Sequence, residues 1–243
     1  MSERFFVASP IVGDRAVLSG AEAHHLTHVM RAPQGAQVTL FDGTGAEFAA
    51  EVRQIGRNQV ELTVLTRTEV DRELAVPITL AVALPKGDRQ RWLVEKSVEL
   101  GVARLIPLNT ARSVAEPGAG ALTRLQRSVV EASKQCGRNR LMEIAKPQSW
   151  QALIAECTGV LRRLVAHPGG KTAASRELIS AGTAITDPVI LAVGPEGGLT
   201  DAEIAQALAA GWVQVDLGAR ILRVETAAVL MVALAAAKCS KAL

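Results

Sequence analysis

Two glycine-bearing loops near the C-terminus are the stretches of this chain best suited to bind a ligand. The first runs from Gly194 to Leu199 and the second from Leu217 to Thr226. Gly197 and Gly198 allow positive φ and let backbone approach a ligand with no Cβ in the way. The first loop matches neither the phosphate loop ending in Gly-Lys-Ser/Thr nor the G-x-G-x-x-G fingerprint. A tight turn would explain the first loop alone, but the two loops together indicate two walls of one pocket.

Charged residues in the second loop favour polar ligand chemistry. Arg220 and Arg223 are close in sequence to Glu225 and to an apolar helix pattern. Charges beside an apolar element are costly unless something polar is handled there. The loop is therefore expected to contact a polar or charged molecule.

A second candidate cluster lies in the middle of the chain. Glu131, Gln135 and Arg138 have i, i+4 and i+7 spacing, so they share a face if the helix extends that far. A solvated helix end whose cations complement the helix dipole is an equally good interpretation of the spacing.

Cations also follow two predicted strands. Lys86, Arg89 and Arg91 come after the first, and Arg112 after the second. These positions suit an anionic ligand such as RNA phosphate. A solvated run of charges is the plainer alternative for each residue taken alone.

Three histidines in the N-terminal part, His24, His25 and His28, raise the possibility of a metal site. There is no H-E-x-x-H motif and no nearby cysteine or third-ligand pattern, so packing or RNA contact is favoured over zinc. Together with Arg4 and Arg31 they could form a basic face.

The elements that would position the glycine loops follow a parallel α/β pattern from Leu74 onward. Val189 to Val193 is short, continuous and β-branched, which predicts a strand buried on both faces. Thr200 is predicted to cap a helix, with Glu203 completing a capping box and Gly211 ending it. The first loop then lies at the carboxyl end of a parallel strand, where open α/β sheets bind ligands. The other predicted strands cover 78–84, 105–108, 161–166 and 213–215, and the other predicted helices cover 89–100, 122–135 and the apolar C-terminal stretch.

Residues 1–73 have a different pattern. Ser19 is predicted to cap a helix over 20–29, with Glu22 completing a capping box. Alternating stretches at 38–41, 47–55 and 59–68, joined by tight turns, predict a small antiparallel sheet or barrel. A charged linker is predicted at 70–73, so the domains are expected at 1–73 and 74–243.

Composition sets the class of protein. The chain has 243 residues, a net charge of +3 and a pI near 9.0, which mildly favours a polyanionic partner. The first residues are not a signal peptide, and the apolar run at 227–237 is too short to span a bilayer. Three scattered cysteines suggest no disulfide framework, so a cytoplasmic location is expected.

These motifs together resemble the RsmE family of 16S ribosomal RNA uridine-N3 methyltransferases, in the SPOUT superfamily. The matching stretches occur in family order over nearly the full length, and the last two are the most specific. They are His24-His25-Leu26 with Val29-Met30-Arg31, Phe41 to Gly45, Pro85 to Arg89, Glu131 with Gln135 and Arg138, Gly194 to Gly198, and Leu217 to Ala227. Ala111-Arg112 stands where the family is expected to have Glu-Arg.

The resemblance implies a PUA-like RNA-binding β-barrel at 1–73 and a SPOUT methyltransferase domain at 74–243. The second domain would contain a parallel sheet and a C-terminal trefoil knot. The resemblance also implies a homodimer, S-adenosylmethionine (AdoMet) as cofactor, no metal, and the small ribosomal subunit as partner. The implied reaction methylates N3 of uridine 1498 in 16S rRNA.

The resemblance also implies roles for single residues. Arg138, Glu131 and Arg223 would act in catalysis, with Glu131 or Glu196 accepting the N3 proton. Cofactor binding would involve Val193, Gly194, Pro195, Glu196, Gly197, Gly198, Leu217, Gly218, Ile221, Leu222, Arg223, Thr226 and Ala227. RNA binding would involve Arg4, His25, Arg31, Lys86, Arg89, Arg112, Gln135 and Arg138.

Three other functions fit parts of this sequence. A different SPOUT methyltransferase, acting on ribose 2′-O or another base, would share the cofactor pocket. A non-catalytic RNA-binding protein would explain the barrel and the charge but not the paired glycine loops. A nicotinamide-dependent oxidoreductase would require a fingerprint that the loop lacks.

Overall fold

The chain divides into two compact units in the computed structural model, which describes residues 3–113, 118–157, 162–169 and 184–239. The N-terminal unit comprises Met1–Glu73 and Val130–Leu141, and the C-terminal unit comprises Leu74–Val129 and Met142–Leu243. The sequence places residues 130–141 in the second domain, whereas the structure groups them with the first. What each domain does stays a prediction.

The N-terminal unit is built on a mixed β-sheet. Among the described residues it contains β1 (Arg4–Phe6), β2 (Arg15–Ser19), β3 (Gln37–Phe41), β4 (Ala46–Ile55) and β5 (Gln59–Glu69). Their order is β1-β3-β4-β5-β2, with β1 parallel to β3 and the other pairs antiparallel. The predicted antiparallel pairing of the 38–41, 47–55 and 59–68 stretches is thus confirmed. The alternation in β4 buries Phe48, Ala50 and Val52 on one face.

The helix predicted over 20–29 forms in two parts, α1 (Gly20–His24) and a π-helical turn (His25–Val29). The predicted capping box is wrong, because Ser19 makes no side-chain cap hydrogen bond. Glu22 instead accepts hydrogen bonds from the Phe6 amide (3.3 Å) and from Lys134 Nζ (2.9 Å). Its carboxylate is therefore engaged by residues distant in sequence.

The C-terminal unit is a parallel α/β structure, as predicted. The described strands are β6 (Ile78–Val82), β7 (Val102–Asn109), β8 (Glu143–Ile144), β9 (Gln148–Ser149), β10 (Arg162–Ala166), β11 (Val189–Val193) and β12 (Val213–Val215). Their order is β12-β10-β11-β6-β7-β8, with β9 beside β7, and all these pairings are parallel. Leu161, predicted to begin β10, lies outside the described residues.

The described helices of at least seven residues are α2 (Arg89–Glu99), α3 (Ala119–Cys136), α4 (Trp150–Glu156), α5 (Asp201–Ala209) and α6 (Val224–Cys239). The capping box of Thr200 and Glu203 at the start of α5 is confirmed. Helix α6 packs against β6, β11 and α2, which explains its apolar sequence. Among the described residues, no helix combines the length and apolar character needed to cross a membrane.

Candidate active site

One cavity of about 210 Å³ lies where the two glycine loops follow β11 and β12. Its walls include Val193 to Glu196, Gly198 and Leu199 from the first loop, and Val215 to Leu222 from the second. Ala166, His167 and Pro168, which end and follow β10, also line it. The carboxyl ends of three neighbouring parallel strands therefore converge on the cavity, as expected for ligand sites in open α/β sheets.

Backbone geometry explains the glycines of the first loop. Gly198 has a φ of +70°, in the left-handed region that disfavours a side chain. A Cβ at Gly194 would lie 2.8 Å from the Leu199 side chain. Of the two adjacent glycines that allow positive φ, only Gly198 adopts it.

A buried carboxylate fixes the start of α5 beside this loop. Glu203 Oε2 accepts hydrogen bonds from the amide (2.8 Å) and the hydroxyl (3.0 Å) of Thr200. Its Oε1 accepts from the Ala111 amide (2.8 Å), in the segment after β7. The Trp150 indole donates to the Glu203 carbonyl (3.1 Å). One side chain thus joins two loops at the carboxyl edge of the sheet, a role that its position in the capping box did not reveal.

Arg112 also braces the first glycine loop. Its guanidinium donates a hydrogen bond from Nη1 to the Gly197 carbonyl at 2.8 Å. A Cβ on Gly197 would lie 3.4 Å from the Arg112 side chain. The sequence predicts Arg112 as an RNA contact, and that role stays a prediction beside the structural one.

The charges near the second loop pair differently from the predicted cluster. Glu225 is buried in the first turn of α6 and lies 3.6 Å from Arg89, not in an ion pair with Arg220 or Arg223. Arg89 also lies 3.6 Å from Glu196, a residue of the cavity wall. The Oε2 atom of Glu225 is buried without a hydrogen-bond partner. Arg89 therefore links the cavity wall to a buried carboxylate that retains an unused acceptor.

Most of the residues predicted to bind the cofactor line the cavity together. Gly197, Arg223 and Thr226 are not among the lining residues, and the Arg223 and Thr226 side chains are exposed. Lys86, predicted to contact RNA, is also exposed. The binding roles of all these residues stay predictions.

The predicted helical cluster of the N-terminal unit does not form one face. Helix α3 ends at Cys136, and Gly137 has a φ of +82°, so Arg138 lies beyond the helix. Glu131 and Gln135 are exposed, whereas Arg138 is only 4% exposed. Arg138 donates from Nε (3.0 Å) and Nη2 (2.5 Å) to the two carboxylate oxygens of Glu73. Glu73 lies in the predicted linker at 70–73, and nothing in its local sequence indicates this bidentate pair.

The predicted basic face of the N-terminal unit is also divided. Arg4 donates to Glu47 Oε1 (2.5 Å) and to Asn139 Oδ1 (2.6 Å), so its charge is engaged within the unit. The centroids of the His25 and Phe5 rings lie 5.7 Å apart. Arg31 is exposed and has a φ of +54°. Arg4, His25 and Arg31 therefore lie in three different environments.

No group of three or more His, Cys, Asp or Glu side chains in the described part of the chain could hold a metal ion. The cavity offers backbone polar groups, apolar side chains, the residues His167 and Arg220, and two carboxylates. These carboxylates belong to Glu196 and Asp216, and Asp216 accepts hydrogen bonds from the Gly218 (2.9 Å) and Gly169 (3.3 Å) amides. Such a lining suits a small molecule with an apolar ring and a cationic part.

Family models match two successive parts of the chain, and the second match includes residues 130–141, which the structure groups with the N-terminal unit. A family model described as an RNA methyltransferase domain matches residues 72–236, and one described as an RNA methyltransferase PUA domain matches residues 18–65. A relative from Bacillus subtilis, ribosomal RNA small subunit methyltransferase E, is 32% identical over 86% of this chain and 85% of its own length.

Two solved structures extend the similarity to the fold. A methyltransferase from Legionella pneumophila in complex with the bound cofactor SAM has a TM-score of 0.87 and 31% identity, covering 98% of both chains. Ribosomal RNA small subunit methyltransferase E from Neisseria gonorrhoeae, bound to S-adenosyl methionine, has a TM-score of 0.84 and 29% identity, covering 96% of both chains. With its parallel α/β unit and its PUA-like N-terminal domain, this chain belongs to the ribosomal RNA small subunit methyltransferase E family of RNA methyltransferases.

Proposed function

We propose that the protein transfers a methyl group from AdoMet to N3 of a uridine in 16S rRNA, within the small ribosomal subunit. Family resemblance assigns the target to nucleotide 1498. The observation that carries the proposal is the cavity that the two glycine loops share at the carboxyl edge of the sheet. Relatives that are named for the small-subunit RNA, or were crystallised with AdoMet, support it.

The cavity fits the chemistry of AdoMet. Leu199, Leu222 and Val224 offer apolar surface for an adenine ring, and the loop backbone offers N–H and C=O groups to its edge. Glu196 and Asp216 offer negative charge to the cationic groups of the cofactor. When bound, AdoMet supplies an electrophilic methyl group, and the products are N3-methyluridine, S-adenosylhomocysteine and a proton.

The chain must remove the N3 proton, because neutral uracil is a poor nucleophile. Glu196 is among the residues that line the cavity, whereas Glu131 is not, and the Glu131 carboxylate is 3.4 Å from Lys134. This difference favours Glu196 over Glu131 as the proton acceptor.

The negative charge left on the uracil oxygens requires a cation as it forms. Arg223 is exposed between the cavity residues Leu222 and Val224, and none of the ion pairs among the described residues involves it. Arg138, the alternative, is held by Glu73. We therefore assign this role first to Arg223 and keep Arg138 as the alternative.

We propose further that the protein is a homodimer with a C-terminal trefoil knot, as the resemblance implies. The three cysteines are free, in keeping with action in the cytoplasm.

The proposal is tested by incubating the protein with AdoMet and small subunits from a bacterial strain that lacks the modification. Mass spectrometry of the digested rRNA should show one added N3-methyluridine. A methyl group on ribose 2′-O or on another base would instead identify a different RNA methyltransferase. Absence of any methyl transfer, with RNA binding intact, would favour a non-catalytic RNA-binding protein.

A further inference from the structure

A second cavity, of about 390 Å³, lies in the N-terminal unit and includes His24 and His28, two of the histidines for which the sequence leaves packing or RNA contact open. Its lining includes His24, Thr27, His28, Arg57, Asn58 and Gln59, and no lining residue is acidic. The cavity therefore combines flat rings, amide groups and a cation without a competing carboxylate.

The two histidines form a flat, exposed surface. Their rings stack with centroids 4.5 Å apart and an interplanar angle of 8°. The Thr27 hydroxyl donates to the Ala23 carbonyl (2.8 Å), so it must accept from His28 Nδ1 at 2.7 Å. That bond fixes the His28 ring and leaves its Nε2 for a ligand.

The backbone beside this surface is unusual. His28 lies in the π-helical turn, and Arg31 follows with a φ of +54°. Single π-turns and non-glycine residues with positive φ are costly and cluster at functional sites. The backbone conformation is thus consistent with a binding role for the paired rings.

The cavity is also lined by a cationic turn between β4 and β5. Arg57 and Asn58 are exposed there, and none of the ion pairs among the described residues involves Arg57. Arg4 and Arg138, by contrast, are neutralised within the same unit. Arg57 is therefore able to meet an anion without first losing a carboxylate.

Another cavity of the same unit, about 150 Å³, has the reverse character. It is lined by Glu69, Asp71 and Glu73, together with Arg140. Three carboxylates would repel a phosphate, so this 150 Å³ cavity is unsuited to RNA. The absence of acidic residues from the lining makes the 390 Å³ cavity that contains His24 and His28, here called the histidine cavity, the better RNA site.

We propose that the histidine cavity binds one unpaired nucleotide of the ribosomal RNA substrate. A base stacks on the outer face of the paired imidazoles, the Asn58 and Gln59 amides meet its edge, and Arg57 meets its phosphate. RNA is recognised in this way when single-stranded bases stack on aromatic side chains, including histidine. This site deepens the function proposed above and depends on it.

The test uses the full-length protein and a fluorescein-labelled, single-stranded RNA dodecamer, with binding followed by anisotropy. The H24A/H28A double variant should bind about tenfold more weakly, the loss expected for one stacked base. The H24F/H28F variant keeps flat rings and should bind nearly as well as the wild type. R57A should weaken binding and reduce the slope of log affinity against log salt by about one.

Arg15→Ala is the matched control, because Arg15 is an exposed arginine of the same unit outside the cavity. If R15A weakens binding as much as R57A, or if H24A/H28A binds like the wild type, the cavity is not a nucleotide site. Photocrosslinking of RNA that contains 4-thiouridine should label peptides that contain residues 24–28 or 56–59, and labelling confined to other peptides would overturn the proposal.

Methylation of small subunits separates this proposal from the function it rests on. H24A/H28A should raise KM for the subunit and leave AdoMet affinity unchanged by calorimetry. If the wild type methylates subunits and the H24A/H28A variant does so with the same KM, only the nucleotide-site proposal fails. If the wild type methylates nothing yet binds RNA through this cavity, only the methyl-transfer proposal fails.

Discussion

The two units hold buried charge in contrasting ways. In the N-terminal unit the buried cation of Arg138 is neutralised by a carboxylate 65 residues away in sequence. In the C-terminal unit the buried charges include two carboxylates: Glu203 is satisfied largely by backbone amides, and Glu225 retains an unused oxygen. The first arrangement joins distant segments of chain, whereas the second shapes loops around a cavity. Buried charges thus serve stability in one unit and site geometry in the other.

The largest expected effect comes from breaking the cation arrangement of the N-terminal unit. Glu73→Ala removes the carboxylate that faces a guanidinium only 5% exposed. The free energy of unfolding of this unit should fall by about 3 kcal/mol, because a buried charge loses its partner. Chemical denaturation followed by hydrogen exchange of residues 1–73 measures the loss.

Glu69→Ala is the control for this variant, because Glu69 pairs with Arg67 on the surface and both side chains are more than half exposed. It should cost less than about 1 kcal/mol. If the two variants are equally mild, the stability of the unit does not depend on the pair between Arg138 and Glu73.

The next effect concerns the carboxylate arrangement of the C-terminal unit. Glu203→Ala removes the capping box and leaves the Ala111 amide without its acceptor, so stability should fall by about 2 kcal/mol. The fluorescence of Trp150, which donates to the Glu203 carbonyl, reports the loosening during urea unfolding.

Asp201→Ala provides the comparison on the same helix. Asp201 is an exposed acid in the first turn of α5, so its loss should cost only about 0.5 kcal/mol. Equal costs for the two variants would mean that Glu203 acts only through the helix dipole.

The contrast between units also explains what the sequence revealed. The glycine loops, the strand Val189–Val193 and the Thr200 cap were predicted correctly because each depends on neighbours within a few residues. The partner of Arg138 and the engagement of Arg4 were missed because their carboxylates lie 65 and 43 residues away. Glu22 failed as a capping residue for the same reason, since Lys134 and the Phe6 amide use its carboxylate. Local patterns predicted the cavity, but they could not show which cations remain available.

A glycine in each unit sharpens the comparison further. Gly198 and Gly13 have similar φ values, +70° and +75°, and a Cβ at either would meet no atom within 4 Å. Gly198→Leu fills space in the cavity and should weaken AdoMet binding by roughly 10- to 100-fold, measured by calorimetry. Gly13→Leu carries the same backbone strain and should leave AdoMet affinity unchanged. If both variants lose the same AdoMet affinity, backbone strain alone explains the effect.

The smallest effect expected is a difference in the pH at which each unit loses stability. Burial raises the pKa of Cys157, in the C-terminal unit, from 9.0 to about 11. The folded state therefore favours the thiol, and its contribution to stability is present below pH 9 and is lost as the pH rises towards 11. Burial also raises the pKa of Cys239 in the same unit. Trp92, Trp150 and Trp212 all belong to the C-terminal unit, so fluorescence should report an alkaline loss of structure that Cys157→Ala reduces.

The N-terminal unit should instead weaken in acid. Partial burial opposes ionisation of Asp42 and Glu47, but hydrogen bonds from Thr44 and the Ile11 amide to Asp42, and from Arg72 and Arg4 to Glu47, hold both pKa values below their ordinary range. Their contribution is therefore present above the unfolded pKa, near 4, and is lost as the pH falls through the folded values. Hydrogen exchange of residues 1–73, corrected for the intrinsic rate, should show opening below pH 4 while tryptophan fluorescence remains native. Loss of both signals at one pH would mean that the units unfold together, and the contrast between their charges would then have no separate effect on stability.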